Sequence, residues 1–188
     1  MHGSLLFELM ASFVKTLVWF VPAMMLVKQF EPEMRVGLKQ MFTEKVPLKS
    51  VLFWSLLFAF FGGGGTIVNG LMHGTLHVNP EFSLTNHQWL LFVGITEEAV
   101  FRGWMLNGTA CDKKDWKMLL LNAVLFVSVH IPGWIQKGMF VSAFTHFGFL
   151  SVMLFSILVS ICFLKHKNLL LPVWLHMLYD FMLEFFAA

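Results

Sequence analysis

Six apolar runs, each near the length needed to cross a hydrocarbon core of about 30 Å at 1.5 Å per residue, divide this chain. They are Leu5–Val27, Val51–Met72, Trp89–Leu106, Trp116–Ile135, Phe144–Leu164 and Leu169–Ala187. In lipid every backbone N–H and C=O must find its partner within the spanning segment, so such runs fold as helices. The expected fold is an all-α, polytopic transmembrane helical bundle of about six spans, one domain over residues 1–188 with its polar motifs in the core 89–187. With 57% hydrophobic and 16% aromatic residues the composition excludes an ordinary soluble domain.

Charge is confined to the connections and to a few intramembrane positions. Lys28 to Ser50 is polar, and its apolar residues Met34, Leu38, Met41 and Phe42 recur at helical spacing, predicting an amphipathic segment at the membrane surface. If the loops alternate, ten Lys and Arg residues, from Lys28 to Lys167, fall on one side and only Lys137 on the other. The positive-inside rule then puts the Lys28–Ser50 connection in the cytoplasm and both termini outside. A net charge of +2 without a basic tract excludes a nucleic-acid partner and leaves the lipid bilayer as the evident one. Cys111 and Cys162 lie beside cytoplasmic lysines, where thiols stay reduced. Met1–Ser4 lacks the basic n-region of a removable signal peptide.

The sharpest anomaly is Gly94–Trp104, where Glu97, Glu98 and Arg102 interrupt an apolar helix. Each such charge costs roughly 2.5 to 3.5 kcal/mol near a bilayer centre, so the three demand partners. Glu98 and Arg102 are i, i+4 neighbours in the favourable acid-before-base order, whereas Glu97 points about 100° away and keeps its carboxylate free of that pair. Two other spans carry pairs that share a face at the same spacing, Phe126 with His130 and His176 with Asp180. At 1.5 Å per residue from the outer end of each span, Glu97 and Asp180 lie about 12 Å deep and His176 about 18 Å. His130 joins them at roughly 9 Å if its helix continues past Pro132 to about Gln136. In the first span Glu8 and Lys15 share a face and read as charges satisfied by other helices; His73, His77 and His87 read as surface residues, and His146 and His166 as interfacial.

A carboxylate and two imidazoles converging within the membrane could do hydrolytic work in two ways. Glu97, His130, His176 and Asp180 could hold a metal such as zinc, which the sequence allows without requiring. Alternatively Glu97 and His130 could activate a water directly while His176 and Asp180 position the carbonyl or stabilise its oxyanion. A non-proteolytic reading uses the same network as a proton or ion pathway, or as an immunity-type binding protein. Other membrane-protease patterns are missing: the chain has no HExxH or HxxEH, no GxSxG, and no GxGD to complement Tyr179–Asp180.

In order along the chain, Glu97-Glu98-xxx-Arg102, Phe126-xxx-His130 and His176-xxx-Asp180 resemble the motifs of the CAAX protease and bacteriocin-processing (CPBP) family of intramembrane proteases. The resemblance implies an endopeptidase that hydrolyses membrane-associated peptides or proteins. Glu97 and His130 would activate water, Glu98, Arg102 and Phe126 would brace the site, and His176 with Asp180 would hold the oxyanion side. Some members are described as metalloproteases. The third motif commonly ends in asparagine, where this chain has Asp180, a residue better suited to ligating a metal or to acting as a protonated acid. A chain of six spans is similar to the bacterial members, implying a multi-pass protein of a bacterial cell membrane that processes or signals with peptides more than it cleaves prenylated ones.

Overall fold

The computed structural model describes residues 5–83, 87–109, 115–146 and 148–186; Cys111 and the side chain of Glu8 lie outside the described part. Among the described residues there are helices and no strands. α1 (Leu5–Gln29) leads into a short 3-10 turn (Glu31–Glu33) and α2 (Leu38–Thr43), and α3 (Leu48–His73) follows. α4 (Trp89–Glu98) runs without a break into a π-helical segment, Ala99–Leu106, and the short α5 (Asn107–Thr109). α6 (Trp116–Ser128) is joined through two residues to α7 (Ile131–Gln136). Then come α8 (Phe140–Thr145), α9 (Gly148–His166) and α10 (Leu170–Phe185).

Four helical stretches are long and apolar enough to cross a membrane: Leu9–Gln29, Leu48–His73, Trp116–Gln136 and Gly148–His166. The stretches carrying the carboxylates fall outside that group for physical reasons. The α4–π segment holds three charges, and α10 is only 16 residues long. Together the six stretches make a multi-pass bundle.

Hydrogen bonds sort the connections into two ends. At one end Val36 N–H donates to Asn107 Oδ1 (2.8 Å), Asn168 Nδ2 donates to Glu44 O (2.7 Å) and Leu169 N–H donates to Met41 O (2.8 Å). His166, expected at an interface, closes this end by accepting from the Trp54 indole at 3.2 Å. The connection 30–47 is amphipathic in a compact way: Val36 and Met41 are wholly buried while Lys39, Lys45 and Lys49 stay exposed. At the opposite end the loop after α3 docks on the last turn of α10. There Asn79 N–H donates to Phe185 O (2.9 Å) and Asn79 Nδ2 to Glu184 O (3.1 Å). His73 and His77 are exposed here, but His87 is not a plain surface residue, since its ring stacks on Phe82 at 4.8 Å and faces Glu184 at 3.7 Å.

The run Gly62–Gly65 lies inside α3 without breaking it. A Cβ at Gly62 would stand 2.8 Å from the carbonyl oxygen of Tyr179, so its absence lets α3 and α10 approach to backbone contact. Gly65, three residues on, meets nothing within 4 Å. Fixed backbone cannot yield as a flexible side chain can, so the two positions should respond in opposite directions. We predict that Gly62→Ala lowers thermal stability in detergent by about 1–3 kcal/mol. Gly65→Ala should be neutral or stabilising by up to about 1 kcal/mol, because alanine is the better helix former. Equal responses at the two sites would contradict this packing.

Candidate active site

Gly94 sets the approach of α4 to α10. A Cβ there would lie 2.9 Å from Met177 Cγ and 3.1 Å from Val173 O, so the helices touch at this level. One turn further along, the contact turns polar. Glu98 is fully buried, and its Oε1 accepts from His176 Nδ1 at 2.7 Å and from Arg102 Nη1 at 3.1 Å. Arg102, also fully buried, lies within the π-helical segment, whose wider turn recurs at functional positions in helices. Its other terminal nitrogen reaches α9, donating to Ser156 Oγ at 2.8 Å and Ser156 O at 3.0 Å. The expected pairing of Glu98 with Arg102 is present.

The hydrogen bond to a histidine of a later helix falls to Glu98, not Glu97. Glu97 instead meets α1, with Lys15 Nζ 4.0 Å from its Oε1, while its Oε2 is buried with no hydrogen-bond partner among the described residues. This partner for Lys15 fits the expectation that another helix satisfies it. Glu97 remains close enough to His176 and Asp180 for its charge to act on both.

His130 occupies the joint between α6 and α7, and the helical path does continue to Gln136. The joint has a local cause. Pro132 has no N–H to give the carbonyl one turn back, and His130 N–H turns to Val127 O at 3.0 Å. Phe126 O instead accepts from the ring of the same histidine, at 2.7 Å from Nδ1. A carbonyl can only accept, so Nδ1 carries the proton and the neutral ring keeps its lone pair at Nε2.

Phe126 is the aromatic wall of the site. The Arg102 guanidinium lies 4.6 Å from its ring centroid, within cation–π range, and the rings of His130 and His176 lie 4.9 and 6.0 Å away. His176 is held from both sides, by Glu98 at Nδ1 and by Asp180 Oδ2 3.5 Å from Nε2. His130, His176 and Asp180, with Phe126, Phe155 and Tyr179, line one cavity of about 150 Å³, large enough for several waters. A larger groove, about 420 Å³, runs along another face of α10 between Leu90, Leu91, Trp174 and Phe181, and none of the site residues line it.

Among the described residues no three His, Cys, Asp or Glu side chains are grouped to hold a metal ion. Nδ1 of each histidine is committed, one to a carbonyl and one to a carboxylate, which leaves Nε2 as the remaining ligand atom of each ring.

The sequence reading missed Ser156, which anchors Arg102, and Asn122, whose Nδ2 caps Phe101 O in the π-helical segment at 2.9 Å. A signal was present: Ser156 and Ser160 share a helix face in an apolar run, and Ser160 faces Asn122 at 3.5 Å.

A search of curated proteins and a search of solved structures each gave no match. A family model described as type II CAAX prenyl endopeptidase, Rce1-like, matches residues 80–182, more than half of the chain and every residue of the site just described except Lys15. With that match spanning all three motifs, the chain belongs to the Rce1-like CAAX protease family of membrane-embedded proteases.

Proposed function

We propose that this chain is an intramembrane endopeptidase that hydrolyses a peptide bond of a membrane-associated peptide or protein with a water activated by Glu97 and His130. The observation that carries the reading is the cavity shared by His130, His176 and Asp180, with the His130 tautomer set so that Nε2 can accept a proton. One water hydrogen would bond to Glu97 and the other to His130 Nε2, leaving an oxygen lone pair to attack the carbonyl carbon. The proton passes to Glu97 as the C–O bond forms, and from there to the amine nitrogen as the C–N bond breaks. His176 acts as an imidazolium between two carboxylates: its Nδ1–H is held by Glu98, its Nε2–H is offered to the oxyanion, and Asp180 orients that ring. Glu98, Arg102 and Phe126 hold the geometry. No step requires a metal.

The substrate class follows from the surroundings: a peptide reaching these side chains must enter a site set among apolar helices. The family resemblance supports a bacterial cell membrane and a peptide substrate of maturation or signalling, handled within one domain. Lysines concentrated on the connections 28–50 and 165–168, which hydrogen bonds gather at one end, support the reading that this end is cytoplasmic and both termini are outside.

In proteoliposomes carrying the full chain and quenched-fluorescent transmembrane peptide reporters, Glu97→Gln and His130→Ala should each lower cleavage about 10²- to 10⁴-fold with an unchanged unfolding midpoint. Retained cleavage in Glu97→Gln would sink the assignment, and proton flux without cleavage would favour the relay reading. Arg102→Met behaves differently. It leaves Glu98 buried beside an uncharged neighbour and should cost stability, about 3–5 kcal/mol, along with activity. For sidedness, a Lys39→Cys variant should react with an impermeant maleimide only from the cytoplasmic face; labelling from outside would reverse the topology.

A further inference from the structure

Tyr179 is the single tyrosine of the chain, and it lines the same cavity as His130, His176 and Asp180. Its ring is fixed on both flanks, with centroids 5.3 Å from Phe61 and 4.8 Å from Phe155, and only 8% of the residue is exposed. All of that packing would be supplied equally well by phenylalanine. What tyrosine adds is a hydroxyl, and a buried tyrosine ordinarily gives its O–H a partner. Here no hydrogen bond of the hydroxyl is seen among the described residues, and its oxygen is not one of the buried side-chain atoms left without a partner, so it stays accessible on a residue that lines the cavity.

The cavity also needs a donor. Asp180 as a carboxylate can only accept, and His130 presents a lone pair at Nε2 because Nδ1 is committed to Phe126 O. His176, as an imidazolium that keeps a proton at Nε2 while Nδ1–H is held by Glu98, is then alone in meeting a carbonyl oxygen that becomes an alkoxide when water adds. We propose that the Tyr179 hydroxyl is a second donor to that oxygen, a catalytic residue that touches the reacting group beside His176. The assignment rests on the hydrolytic reading of the site. A neutral phenol suits the position, because it brings a polarised O–H to the developing charge without adding another ion to a cavity already flanked by Glu98 and Asp180. The approach of Gly62 to the Tyr179 backbone carbonyl holds this turn of α10 in place, so the donor is fixed before substrate arrives.

Two measurements on the full chain in proteoliposomes decide the matter. Tyr179→Phe keeps the ring and removes only the donor. It should lower kcat on a transmembrane peptide reporter about 10²- to 10³-fold, with KM within about threefold and an unchanged unfolding midpoint. Because there is one tyrosine, biosynthetic 3-fluorotyrosine gives a single ¹⁹F resonance from the site. It should shift when a hydrophobic peptide phosphonamidate, a tetrahedral anion, is added, and stay in place with an uncharged peptide of the same sequence. A kcat for Tyr179→Phe within threefold of wild type overturns the proposal, as does a resonance blind to the phosphonamidate. Should the wild-type chain cleave no reporter, the hydrolytic reading falls, and the fluorine shift alone decides whether the hydroxyl meets a tetrahedral anion.

Discussion

The polar centre of the site turns on a single buried oxygen. Glu98 Oε1 accepts from Arg102 on its own helix and from His176 on α10, and Arg102 continues to Ser156 on α9. Three helices are thereby tied through groups that could not remain in lipid separately. The attraction has to offset the desolvation of a carboxylate and a guanidinium, and it does so only because added hydrogen bonds satisfy most of the remaining donors. Such a network contributes less to net stability than to uniqueness of arrangement: a bundle rotated by one position about α4 would strand these charges against hydrocarbon.

Local departures from regular helix aim this network. The missing side chain at Gly94 brings α4 against Val173, one turn from where Glu98 meets His176. The π-helical turn places Arg102 between Glu98 and the Phe126 ring, and its exposed Phe101 carbonyl is taken up by Asn122. At the α6–α7 joint the His130 N–H turns to Val127 O and leaves Phe126 O for the ring of the same residue, which converts a break in the helix into a fixed tautomer. In each case a local cost in helix regularity is repaid as side-chain direction, as expected where function overrides ideal geometry.

What could be read from the sequence was what lies within one helix. Glu98 with Arg102, Phe126 with His130 and His176 with Asp180 are each one turn apart, so periodicity alone brings them together. The helical class and the approximate limits of the apolar runs follow from hydrophobic length in the same way. Between helices, sequence supplies no rotation. Which of two adjacent glutamates meets His176 depends on the angle at which α4 crosses α10, and that is set by the absence of an atom at Gly94. Glu97 is therefore expected to face the histidines, and the ion pair it makes among the described residues is with Lys15 of α1. Ser156 and Tyr179 were passed over for a related reason, since a serine in an apolar run and one aromatic among many carry no direction until the partner helix is in place. Phe140–Thr145 likewise forms its own short helix before α9 begins at Gly148, a joint that continuous hydrophobicity conceals.

The pairing of Lys15 with Glu97 bears on how the bundle is assembled. A chain enters the membrane from its N-terminus as it is made, so the first apolar helix arrives while the helix bearing Glu97 is still unsynthesised. During that interval an isolated ammonium within a spanning helix is penalised, and its long side chain must reach for the headgroup layer. The third apolar run brings Glu97 to 4.0 Å from that ammonium. The contact at Glu97 is thus a partner that Lys15 gains only once the segment carrying the site lies beside the first helix.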